Sequence, residues 1–129
     1  MHALKYLSLL LVCLLAATGC ARTRTNVTGT ITRDGKPLEW DTENGFLLVI
    51  FIPENRRADG EVYRAEAQMD GTFKLNEIRS GRYKVAIQQF DDKFNDALGH
   101  KYDPGKSPLR YEVTDDGQVI DIDLPKELP

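Results

Sequence analysis

Downstream of residue 20, Ser80 and Ser107 are the only serines and His100 is the only histidine, so any serine-nucleophile or imidazole chemistry rests on these three. A serine nucleophile needs a base oriented by a third group. Both serines stand in turn contexts, Arg79-Ser80-Gly81 and Lys106-Ser107-Pro108, where serine serves the backbone. No Gly-x-Ser-x-Gly elbow is present. One imidazole cannot build a multi-histidine zinc or iron centre within a chain, so His100 reads as a solvated loop residue. Paired carboxylates occur at Asp91-Asp92, Asp115-Asp116 and Asp121 with Asp123. Turns and exposed strand faces account for them without glycosidase chemistry. Asp91, Asp92, Asp96 and Asp103 bracket one long segment, and carboxylate oxygens suit calcium. The EF-hand spacing is missing, so the expectation is a solvated acidic loop, with calcium at those four residues as the alternative and no cofactor. Trp40, Phe94 and Tyr102 fall in or beside loops. Aromatics there stack on a sugar or dock a protein; otherwise they cap the open ends of a core.

A different chemistry attaches to Cys20. Residues 1–19 carry Lys5 near the start, an uncharged apolar run from Leu7 to Ala17, and small residues at the end. That is a signal-peptide layout, and the run is far short of the roughly 20 residues that cross a bilayer as a helix. Ala16-Ala17-Thr18-Gly19-Cys20 resembles the lipobox of bacterial lipoproteins, in which the cysteine becomes the lipidated first residue. Ala17 departs from the leucine most frequent at its position. Loss of residues 1–19 removes Cys13 and leaves Cys20 alone, and a lone free thiol is a liability in an oxidising compartment. Thioether formation removes it. The expectation is an exported, membrane-anchored lipoprotein, on the periplasmic face or at the cell surface, with residues 20–25 as a short tether and residues 26–129 as the domain.

The elements that would position these residues are strands. From Asn26 onward the hydrophobic period is two, and glycine and proline punctuate short runs rich in valine, isoleucine, threonine and aromatics. Val27, Gly29 and Ile31 share one face of a first strand, and Arg33 to Pro37 form a turn. Phe46 to Ile52, FLLVIFI, is apolar throughout, as in a central strand covered on both faces, and Pro53 ends it. Val62 to Met69 alternates weakly. Asp70-Gly71 is a tight turn leading into a strand with Phe73 and Leu75 on one face. Ser80-Gly81 leads into a strand with Tyr83, Val85 and Ile87 on one face, and Tyr83 stands where a tyrosine corner would send its hydroxyl back towards Arg79. Asp91 to Pro108 is a long loop. Two strands close the chain, around Leu109 to Val113 and over QVIDIDL, the latter half-buried through Val119, Ile120, Ile122 and Leu124. The total is about seven strands, the count for a small sandwich.

At 129 residues, 41% hydrophobic and 29% charged, the chain fits one modest core. Its net charge of −3, with both signs interspersed, offers no basic stripe for a phosphate backbone and excludes nucleic acid as a partner.

The VTGTITRDGKPL opening, the apolar strand ending at Pro53, the pair DGTFKLNEI and SGRYKVAI, and the closing strand together resemble the carboxypeptidase regulatory-like group of domains. The resemblance spans roughly Asn26 to Leu124 and implies an all-β, Greek-key β-sandwich of transthyretin-like type. Lipobox-bearing members of that group are envelope proteins, so it implies a binding or structural accessory role and no activity. Transthyretin's enzymatic relatives, which hydrolyse 5-hydroxyisourate, carry several histidines and a C-terminal tyrosine-arginine-glycine-serine motif. This chain ends in DLPKELP and lacks it. The reading is a non-enzymatic domain held to the membrane by its N-terminal lipid, with an envelope protein or a glycan as partner. The other reading is a carbohydrate- or small-ligand-binding module built on Trp40, Phe94 and Tyr102.

Overall fold

The computed structural model describes residues 24–40, 43–55 and 61–125. The signal segment, Cys20 and the first residues of the tether lie outside the described residues. Nine strands run through the rest: β1 (Arg24–Arg33), β2 (Lys36–Pro37), β3 (Phe46–Pro53), β4 (Tyr63–Glu66), β5 (Thr72–Arg79), β6 (Gly81–Phe90), β7 (Arg110–Val113), β8 (Gln118–Val119) and β9 (Ile122–Leu124). Two of them are two-residue pieces, which leaves seven longer strands in an all-β sandwich of two sheets. In one sheet β1 pairs with β2, β5, β8 and β9; the other has the order β4-β3-β6-β7.

The strands form where the alternation placed them, and packing explains the differences. β1 begins at Arg24, two residues earlier than the sequence suggests, because Thr25 is buried opposite Ile78 with its hydroxyl on the Ile78 carbonyl. A register shift between Thr25 and Val27 accommodates this start. Beside it Glu77 has φ 56°, and its N–H donates to the Asn26 side chain. The β1–β2 hairpin turns on Asp34-Gly35, with φ of 50° and 75°, the positive pair that a two-residue hairpin loop needs.

β5 and β6 are joined through Ser80 alone, yet they belong to different sheets, so the link arches across the sandwich. At this arch the Tyr83 hydroxyl donates to the Arg79 carbonyl, as the tyrosine corner requires. The Arg79 N–H donates to the Tyr63 hydroxyl at 3.3 Å, and the two tyrosine rings meet edge-on at 6.1 Å.

Leu47, Val49 and Phe51 of β3 point into the main core with Tyr83, Val85 and Ile87 of β6 and Phe73, Leu75 and Ile78 of β5. The alternate residues of β3 face outward, where Ile50 and Ile52 pack with Ala86 and Leu48 in a second, smaller cluster. Flanking Arg64 and Lys84, directly across from Ile50 and Ile52, carry long stems suited to covering such a strip. FLLVIFI is therefore buried along its core face and, on its outer face, at Ile50 and Ile52, while Phe46 and Leu48 are only partly covered.

The closing segment is two strands rather than one. Between β8 and β9, the Ile120 N–H donates to the Thr28 carbonyl and the Ile120 carbonyl turns towards Gly29. A Cβ on Gly29 would drive into that oxygen and come within 2.7 Å of Phe73 Cζ. The break leaves Ile120, Ile122 and Leu124 buried but turns Val119 outward at 64% exposure, which corrects its expected place on the core face.

Candidate functional site

Strand direction gives the sandwich two distinct ends. β1 starts at one end with Arg24 paired to Arg79, near the Ser80 arch and Val113, which pairs with Gly81. β1 finishes at the other end beside Leu124, and there β3 opens and β6 closes with the pair Phe46 and Phe90.

The three loop aromatics do not converge. Tyr102 is 1% exposed, in the main core, and is unavailable to a ligand from outside; this corrects its candidacy. The segment that carries it replaces β7 along the edge of β6, where the Ile87 N–H donates to the Tyr102 carbonyl. Its buried hydroxyl has no hydrogen-bond partner, burial raises its pKa, and the Arg33 charge partly opposes the rise. Trp40 is half-buried against the core. Phe94 is the exposed one, at 73%, and its backbone is held at φ 61° by its own N–H on the Asp91 carbonyl. Its ring lies edge-on to Phe46 at 6.3 Å, and Phe46 in turn meets Phe90 at 5.0 Å.

The acidic residues of the long loop are tied into its backbone. Asp91 accepts the N–H groups of Lys93 and Asn95, which holds its carboxyl below the usual range. Asp96 accepts from Gln89, Leu98 and His100 N–H, and so staples the loop to β6. Asp103 takes the Gln88 side chain at 3.0 Å and faces His100 Nδ1 at 2.9 Å. Among the described residues, Asp96, His100 and Asp103 bring donor atoms within 4.8 Å of one another, a group that Asp91 and Asp92 do not join. The four aspartates considered for calcium thus do not form one site. Ser107 is buried, with its hydroxyl donating to the Val85 carbonyl and accepting from Leu109 N–H, which makes it a loop fastener.

Several clefts mark the surface of the described residues, among them one of about 500 Å³ lined by Ile52, Pro53, Glu54, Lys84 and Arg110. The largest, about 800 Å³, lies at the end where β1 starts and is lined by Glu61, Tyr63, Arg79, Arg82, Tyr83 and Glu112 among others. Size alone favours it as a binding site. Its two tyrosine hydroxyls, however, are already bonded to the Arg79 backbone, and Glu61 faces Arg24 at 4.0 Å. A cleft of about 390 Å³ lies between Trp40, Gly45 and Phe46 on one side and Glu66 to Met69 on the other. Another, about 440 Å³, is lined by Thr28, Thr30, Thr72, Lys74 and Val119, and again by Glu66 and Gln68. Among the described residues, the side chains of Glu66 and Gln68 make no hydrogen bond or ion pair. Met69 is 79% exposed at the rim.

Of these residues the sequence points to Trp40 and not to Phe46, Glu66, Gln68 or Met69. Phe46 was detectable once its alternate neighbours Leu47 and Val49 are assigned to the core, because period two then turns it outward. Glu66 and Gln68 carry no such signal, since any exposed strand end shows polar residues.

No protein-family model matches the chain, and no curated protein matches it. A solved structure with some likeness is a "putative carbohydrate binding protein" from Pseudomonas aeruginosa, at 13% identity and a TM-score of 0.39, covering 86% of this chain and 94% of that one. A likeness of that degree assigns no ligand to this chain.

Proposed function

We propose that this protein is a non-enzymatic, lipid-anchored β-sandwich of a bacterial envelope that binds another envelope component at the end remote from its anchor. The carrying observation is the direction of β1. It starts at Arg24, four residues past Cys20 and its small-residue lipobox, and runs for ten residues, about 33 Å, away from that point. A lipid on Cys20 would hold the Ser80 arch near the membrane, because the four residue steps from Cys20 to Arg24 reach only about 14 Å when fully extended. The aromatic cleft would then face outward. The carboxypeptidase regulatory-like resemblance supports an accessory role, and the engagement of Ser107 and the loop aspartates in backbone bonds favours binding over hydrolysis.

The test is Cys20→Ala in the full-length chain, followed by membrane fractionation and labelling with a fatty acid. The expected result is loss of both label and membrane attachment. A variant that stays on the membrane and takes up label as before would refute the anchor.

A further inference from the structure

We propose that the two smaller clefts form one groove for a neutral oligosaccharide, an inference that rests on the binding-module reading above. The clefts are contiguous because Glu66 and Gln68 line both. At about 390 and 440 Å³, each falls within the roughly 300–1,000 Å³ typical of small-molecule sites. A protein partner would instead call for about 800 Å² of its surface to be buried.

The chemistry of the two halves differs in the way a sugar chain would use. A pyranose has one apolar C–H face and a rim of hydroxyls, so it needs aromatic surface and hydrogen-bonding side chains together. The first cleft supplies Trp40 and Phe46 with the polarizable thioether of Met69 beside them, and Phe94 extends the aromatic surface past Phe46. The second supplies the Thr28 and Thr30 hydroxyls, each both donor and acceptor, and the Lys74 ammonium. Among the described residues, none of these three side chains makes a hydrogen bond or an ion pair. At the junction Glu66 can only accept while Gln68 can also donate, which matches a row of hydroxyls. The Glu66 carboxylate also disfavours an anionic ligand at the midpoint. A chain crossing that midpoint has at least two sugar units.

Trp40 is the only tryptophan of the chain, so its emission reports the first cleft alone. Full-length protein in a zwitterionic, sugar-free detergent is titrated with glucose-, mannose- and N-acetylglucosamine-based tetrasaccharides and their monosaccharides. One series should shift Trp40 emission saturably, with the tetrasaccharide at least tenfold tighter than its monosaccharide. Met69→Ala and Glu66→Ala, both at exposed positions, should each weaken it about tenfold, while Lys36→Ala leaves it unchanged. Three outcomes overturn the groove: no saturable shift with any sugar, equal affinity for monomer and tetramer, or a photo-crosslinker at position 69 that captures a protein in cells while sugars stay silent. Detergent-solubilised protein binds sugar regardless of its lipid, so failure here leaves the anchor reading standing, and failure of the Cys20→Ala test leaves the groove standing.

Discussion

The two ends of this sandwich use similar residue types in opposite ways. Where β1 starts, the tyrosine hydroxyls of Tyr63 and Tyr83 close on the Arg79 backbone, and Arg24 reaches both the Glu77 carbonyl and Glu61. Around the other end, Glu66, Gln68, Thr28 and Thr30 present side-chain polar groups that no hydrogen bond or ion pair engages among the described residues, next to half-buried Trp40 and Phe46. Satisfied polar groups beside a core stabilise a fold, because leaving any of them without a partner is costly. Unengaged ones beside apolar surface do nothing for the fold and remain available to a ligand. Cleft volume alone points to the opposite end.

The contrast is sharpest if variants in the scaffold lose stability without touching the groove. The largest effect is expected for Gly29→Ala, whose methyl meets the Ile120 carbonyl and the Phe73 ring. Urea unfolding should show a loss of more than about 4 kcal/mol, in the range reserved for gross steric or buried-polar damage. A loss under about 1 kcal/mol would mean that the β8–β9 break is soft. Next comes Tyr83→Phe, which removes the hydroxyl from the Arg79 carbonyl. It should cost about 1–3 kcal/mol and leave the Trp40 titration unmoved; a changed titration would show the two ends to be coupled.

The smallest effect concerns acid. Asp123 accepts from Gly35 N–H and the Thr32 hydroxyl, which lowers its pKa from 3.8, and Thr72 does the same to Asp70. A lowered folded-state pKa stabilises above the unfolded value and is lost as pH falls through the folded one. The unfolding midpoint should therefore be level above pH 3.8 and decline below it. Asp123→Asn should flatten that decline; an unchanged acid limb would remove the β1–β2 turn from its cause.

Much of the scaffold was legible because period two, proline and glycine act locally. Phe73, Leu75, Tyr83, Val85 and Ile87 are core residues as their alternation indicates, and the hairpin turn falls on Asp34-Gly35. The site was legible only in part. Trp40 and Phe94 do flank Phe46, but Tyr102 is in the core, and loop composition could not separate an exposed aromatic from a buried one. The difference lies in the edge of β6, which the loop covers in place of a strand, and that is a contact between distant parts of the chain.

By itself, then, the sequence determined that the chain is all-β, which positions alternate inward, where it turns, and that Cys20 sits in a lipobox-like context. Only the tertiary structure decided that β5 and β6 part into separate sheets at Ser80, that the last strand breaks against Gly29, and that Glu66 and Gln68 stand between an aromatic cleft and a threonine-lined one. Alternation says that a strand has two faces; which strand lies across each face depends on long-range pairing, set by how the whole chain closes and packs.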